Sequence, residues 1–443
     1  MQALDRFINL SFLGQPYGLR NKTGLSYYDN LFHLFKDTIE DIKEIGMGIM
    51  NLTREELDIR LERFCYAMNN THQGWDTAII LSKVNQYYLT GTMQDGVLFI
   101  KNDGKALYFV RRSFERAKNE SPLDMIYPMN SYRDAMAVVG DDLGHVFIEK
   151  EIVTLAIIER LQKTFHIQST GSLDKTILMV RAIKSPYELY WMESSGKTHC
   201  DFLTNVVPGM LREGMSEAEL VGELFNSMIK LGYHGVSRFS MFQTEMVVGQ
   251  VGFGESSLYP TSFDGPGGAM GMSAAVPIVG SRERKLKKGD LVFVDIGFGK
   301  NGYHSDKTQV YCFGAQPSDE AAKAHRACID VQRRLADMLK PGMIPSQIYM
   351  KVLEELSEDF KQNFMGFDKR QAKFFGHGIG LHVDEWPVIA NGCHDPLLEN
   401  MALALEPKKG IAGVGMVGVE DTFIVAPDGG RCITGGGKDI IIV

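Results

Sequence analysis

Five residues of two chemical kinds invite a common reading. Asp295, Asp306, Glu406 and Glu420 offer carboxylates, and His377 offers an imidazole. Each sits in a stretch that is otherwise apolar or rich in glycine: "LVFVDIGF", "NGYHSDKTQVYCF", "FFGHGIGLHVDEWP", "MALALEP" and "MVGVEDTFIV". Singly, each has an ordinary structural role, such as a strand terminus or a hydrogen-bonded turn residue. Together they pose a charge problem. Carboxylates brought close in apolar surroundings either hold protons or recruit cations. Two divalent ions would balance four negative charges, and two-metal hydrolytic centres hold their ions about 3.5–4 Å apart. The glycines beside His377 are expected to clear room around an imidazole that holds an ion.

The first two carboxylates are positioned by one strand pair. "DLVFVDIGFGKNGYHSDKTQVYCFG" reads as two apolar strands joined by a tight turn. A turn centred on Lys300-Asn301 would set Asp295 directly opposite Asp306, whereas one centred on Asn301-Gly302 would oppose Asp295 to Thr308. The first register is preferred, with the carboxylates facing one another on one side of the ladder.

Around these strands lie helices with readable ends. Pro186 suits a helix start. Ser216 and Glu219 form a capping box. Ser318 begins a helix that Pro341-Gly342 stops, and another helix is expected through "SQIYMKVLEELSEDFKQ". Upstream, "REELDIRLERFCYAM" has helical spacing, "TAIILS" is strand-like, and "GVLFIKNDGKALYFV" reads as a hairpin turning at Asn102-Asp103-Gly104. The whole is an α/β (α+β) chain in two parts, residues 50–180 and 181–443, preceded by an extension, 1–49, without an assignable role.

Composition narrows the function classes. The chain has 443 residues, a net charge of -8, 44% hydrophobic and 23% charged residues. That balance suits a globular protein and gives no basic face for sequence-independent binding to nucleic acid. No apolar run is long enough to span a bilayer, so no membrane partner is expected. Six scattered cysteines without a CxxC pair suit reduced thiols, hence a cytoplasmic location. "ITGGGKD" near the end lacks the spacing of a phosphate loop.

The order Asp, ten residues, Asp, then "GHGIG", "EP" and "ED" resembles the metallopeptidases of the pita-bread fold, the family of methionine aminopeptidase, Xaa-Pro aminopeptidase, prolidase and creatinase. "NQYYLTG" and "IKSPYEL" resemble landmarks of its N-terminal creatinase-like domain, and the resemblance covers nearly all of residues 50–443. It implies a creatinase-like α/β domain followed by a pita-bread catalytic domain. It also implies two divalent ions (Mn, Co, Fe or Zn) held by Asp295, Asp306, His377, Glu406 and Glu420. The implied activity is hydrolysis of the N-terminal bond of a short peptide by metal-bound hydroxide, with Glu406 relaying a proton and the chain acting as a homodimer.

Three departures mark the substrate side. Asp384, in "VDE", stands where the family has a histidine. Ile278 follows Pro277 where a second histidine is common, and Gly418 replaces an arginine before the last glutamate. Asp384 is therefore the expected base or amine anchor. His382, two residues before it, would share its face on a strand and could transfer protons. A metal-dependent lyase or amidinohydrolase-like enzyme, with Asp384 as base on a small non-peptide substrate, is the second reading. A non-catalytic binding protein on the same fold is the third.

Overall fold

The computed structural model describes residues 52–241 and 243–443, and the extension 1–49 lies outside them. The described residues divide into two compact units, one running to Arg181 and the other Ala182–Val443.

The first unit carries a six-stranded mixed sheet. Its strands are β1 (Thr77–Ile80), β2 (Gly96–Lys101), β3 (Ala106–Val110), β4 (Ile126–Pro128), β5 (Asp142–Ile148) and β6 (His166–Ser172), ordered β4-β3-β2-β1-β5-β6. The hairpin β2–β3 turns where expected, with Gly104 at φ 88° and its N–H donating to Lys101 O. Helix Arg54–Thr71 opens with the Thr53 hydroxyl accepting from Glu56 N.

The second unit is built on two larger sheets. One orders β19-β9-β8-β7, from β7 (Gly249–Phe253), β8 (Leu291–Lys300), β9 (Tyr303–Cys312) and β19 (Ile441–Ile442). The other orders β13-β12-β14-β17-β18. Its strands are β12 (Phe374–Gly378), β13 (Glu385–Ala390), β14 (Ala402–Leu405), β17 (Asp421–Ile424) and β18 (Arg431–Cys432). Two small ribbons complete it: β10 (Gly366–Phe367) with β11 (Arg370–Gln371), and β15 (Lys408–Ile411) with β16 (Gly415–Gly418). Alternation along β8 explains its double burial. Val292, Val294, Ile296 and Phe298 join the core of helix Glu217–Lys230, while Leu291 and Phe293 face Ala321, Ala324 and Val417 on the other side. Asp295 belongs to the second face.

The β8–β9 turn corrects the expected register. Asn301 and Gly302 both have positive φ, 48° and 90°. They are the central residues of a two-residue hairpin turn, for which Asn-Gly is favoured because both positions need that conformation. Asp295 therefore opposes Thr308, and Asp306 opposes Gly297. The two carboxylates still share a face, offset by one diagonal step, and Gly297 contributes no side chain to the space beside Asp306.

Helix Pro186–Asp201 has Pro186 in its first turn and a Ser185–Glu188 capping box, and Ser216 and Ser318 cap their helices as expected. The single helix expected through 346–362 is instead two, Pro345–Glu355 and Glu358–Lys361, because Ser357 caps a new start by accepting from Phe360 N. Among the described residues no helix is long and apolar enough to cross a membrane, and all six cysteines are free thiols.

Candidate metal centre

The fold brings all five residues to one place. Asp306 and Glu420 are drawn together because β9 runs beside the end of β16 and the start of β17. Thr308 and Glu420 form an antiparallel bridge, and the Thr422 hydroxyl accepts from Asp306 N (2.8 Å) while donating to Asp306 O (3.0 Å). His377 lies on β12, paired with Ala404 of β14. Glu406 follows β14 directly, its N–H donating to Phe375 O. Ligand atoms of Asp306, His377 and Glu420 lie within 4.8 Å of one another, all buried.

The imidazole is aimed. Its Nδ1 lies 3.0 Å from Gly378 O, a carbonyl that can only accept, so Nδ1 carries the proton. Nε2 then faces the carboxylates, 3.5 Å from Glu406 Oε1 and 3.5 Å from Glu420 Oε1. With Nδ1 committed to a backbone acceptor, Nε2 is the nitrogen that could exchange its proton for an ion, as in metal-binding histidines generally. The neighbouring glycines have a different cause from the one expected. A Cβ at Gly376 would meet Ala404 O at 2.3 Å, and one at Gly378 would meet Trp386 O at 2.4 Å. They admit the flanking strands β14 and β13, not an ion.

A sixth side chain enters that the sequence reading passed over. Lys408, completely buried, places Nζ 2.9 Å from Asp295 Oδ2, 3.0 Å from Glu406 Oε2 and 2.6 Å from Glu420 Oε2. The signal for it was present. Lys408 lies two residues after Glu406, at the start of β15. Its ladder partner is Gly418, at φ 126°, where a Cβ would stand 2.5 Å from Lys408 Cα and 3.1 Å from its Cγ. Thr308 Oγ1 donates to Asp295 Oδ1 (2.7 Å). Glu420 Oε1 is buried and accepts no hydrogen bond.

The chain's own charges leave the cluster electron-rich. Burial lifts Asp295 to about 6 and Glu406 to about 8, against the pull of Lys408. Burial and then the Glu420 and Asp295 charges hold Asp306 well above the usual carboxylate range. Burial opposes ionisation of Glu420 too, yet Lys408 and His377 keep it below that range. Burial likewise opposes a charged His377, but Glu420 and Glu406 raise it to about 10. Such a site favours added positive charge.

The pocket over this cluster is walled by Phe239, Met246, Phe263, Phe374 and Val383, with Asp384 beside them. Asp384 is fixed by Ser240, whose N–H (2.8 Å) and hydroxyl (2.9 Å) donate to its two oxygens. Burial lifts its carboxyl to about 6 in spite of those bonds. Residues 380–384 form a bend, and β13 begins only at Glu385, so His382 and Asp384 do not share a strand face. His382 is absent from the pocket lining, and its N–H donates to Glu385 Oε1 (2.9 Å). Across the pocket the loop 263–267 is tied down by Arg370 on β11. Its guanidinium donates to Gly267 O (2.7 Å), Gly265 O (3.1 Å) and Phe263 O.

Comparison with known proteins places these features in context. Residues 191–427, more than half of the chain, match Metallopeptidase family M24, and residues 60–183 match the Creatinase/Prolidase N-terminal domain. An Xaa-Pro dipeptidase of Pyrococcus horikoshii is 24% identical over 373 residues, covering 83% of this chain and 94% of that protein. The solved prolidase from Pyrococcus furiosus is 21% identical with a TM-score of 0.68, covering 84% of this chain and 100% of that one. The solved Xaa-Pro dipeptidase from Bacillus anthracis is 22% identical with a TM-score of 0.70, covering 87% and 100%.

Proposed function

Since the chain belongs to metallopeptidase family M24, we propose that it removes the N-terminal residue from short peptides, in the manner of an Xaa-Pro aminopeptidase or dipeptidase. The observation that carries this reading is the buried triad Asp306, His377 and Glu420, with Nε2 aimed 3.5 Å from Glu420 Oε1, under an apolar pocket. These three residues would hold a divalent ion. When bound, such an ion polarises a carbonyl and makes water nucleophilic at neutral pH. One imidazole among carboxylates suits Mn, Co, Fe or Zn.

The chain's own residues divide the remaining work. Glu406 engages Lys408 through Oε2 and turns Oε1 toward His377, so Oε1 is the acceptor for the proton lost by the attacking water. Asp384, anchored by Ser240, presents a carboxylate to the pocket and suits the free α-amino group of the peptide. The phenylalanines exclude water and receive the first side chain. A cytoplasmic location, supported by six free thiols, and assembly as a homodimer belong to the same proposal; light scattering reads the second.

A panel of Xaa-Pro and ordinary dipeptides with added Mn²⁺ or Co²⁺ tests it. Release of the N-terminal amino acid is expected, and full metal occupancy without cleavage of any peptide would defeat it. The reading with a small non-peptide substrate draws support from Asp384, whose raised carboxyl in the place of a histidine suits a base. It gains if the panel is inert.

A further inference from the structure

Lys408 stands where a cation is needed. Its Nζ is within 3.0 Å of carboxylate oxygens from three segments, β8, the end of β14 and the approach to β17. A divalent ion binds carboxylate oxygen at about 2.0–2.2 Å. An ion shared by Asp295 Oδ2 and Glu420 Oε2 on the side where Nζ lies would take the volume already filled by the ammonium.

The position is also built. Lys408 has no exposed surface, and Gly418, its direct ladder partner, lacks the side chain that would collide with it. The Phe293 ring lies beneath Nζ at 5.9 Å. On the other side of the cluster Glu420 Oε1 lies 3.5 Å from His377 Nε2, and the ligand atoms of Asp306, His377 and Glu420 converge. Two ligand atoms bound to one ion at about 2.2 Å are at most about 4.4 Å apart, so the observed 4.8 Å limit closes with a small side-chain shift.

We propose that Lys408 is a tethered replacement for one of the two cations that the five-residue pattern implies. The chain binds one divalent ion, at Asp306, His377 and Glu420, and the ammonium permanently neutralises the Asp295 side. The presence of any ion rests on the metallopeptidase reading, but the count is measured without turnover.

The test is metal stoichiometry of the full chain with Mn²⁺, by equilibrium dialysis with elemental analysis and by electron paramagnetic resonance. Wild type is expected to bind one ion per chain with the six-line spectrum of isolated Mn²⁺. Lys408→Gly frees Asp295 and is expected to bind two, with the broadened spectrum of a coupled pair. Lys408→Arg, which keeps the charge, is expected to stay at one, and it serves if the glycine variant fails to fold. Two ions on the wild-type chain, none at all, or a folded Lys408→Gly chain that still takes one would each overturn the inference. A wild-type chain that holds one ion and cleaves no peptide would overturn the proposed activity and leave this inference standing.

Discussion

The strands β9 and β17 present two faces with opposite electrostatic character. On the rear face Lys307 meets Asp421 at 2.6 Å, both fully buried, and Thr434 adds a hydrogen bond to the same carboxylate oxygen. On the front face Glu420 joins Asp295 and Glu406 around a single lysine, and Asp306 groups with Glu420 and His377. Neighbouring residues along an extended chain point to opposite sides, so the same two segments supply both arrangements. The rear pair is balanced one to one in charge, although Asp421 Oδ2 is buried without a hydrogen bond. The front cluster sets four carboxylates against one ammonium and one imidazole, and the raised carboxyls of Asp295, Asp306 and Glu406 mark it as a place that takes up positive charge. Equally buried charges thus serve structure or chemistry according to whether the count closes locally.

Substitutions can break that contrast. Asp306→Ala on the front face should leave the chain folded and lower peptide turnover by about a thousandfold or more, since metal assistance is worth several kcal/mol. Steady-state rates and metal content check it, and a variant that keeps its metal refutes the assignment. On the rear face Lys307→Met strands a buried carboxylate and should cost about 3–5 kcal/mol of stability. The double variant Lys307→Met with Asp421→Leu should recover most of that loss, and urea unfolding of both decides. Gly418→Ala, which crowds the Lys408 backbone at a positive φ, should cost about 1–3 kcal/mol by the same measurement.

The smallest effect sharpens the comparison through a neighbour. His199 lies against Ser305, just before Asp306, and burial first of all, helped by Lys307, holds its imidazole down near 3. Because the folded value lies below that of the unfolded chain, the stabilisation is present above about pH 6.5 and is lost as the pH falls below it. Between pH 7 and 5.5 it should contribute a loss of about 1 kcal/mol. His199→Phe should flatten that part of the urea-midpoint profile, and an unchanged slope would refute it.

Much of this was legible in the order of residues. Helix starts at Pro186, Ser216 and Ser318 follow from helix-start chemistry that is local, and the five candidate ligands stand out because each interrupts an apolar or glycine-rich run. The register of β8 and β9 was readable too, but only by giving Asn301-Gly302 its due as a positive-φ pair. Lys408 was harder, because a lysine after Glu-Pro reads as a surface residue until its strand is known to run under the cluster. His382 failed for a related reason. Alternation was assumed where the chain bends, and a bend follows from distant tethers such as the bond from Val383 N to Arg238 O. The causes of Gly376 and Gly378 were likewise tertiary, since neighbouring strands press on them.

Arg370 carries a consequence of its own. One guanidinium gathers three carbonyls of the loop that faces the carboxylate cluster, and it belongs to a ribbon outside the strands that carry that cluster. The chain entering that ribbon is hydrogen-bonded to the strand of Lys408, Met365 N donating to Lys408 O (2.7 Å), so the loop over the pocket and the lysine beneath the cluster share one support.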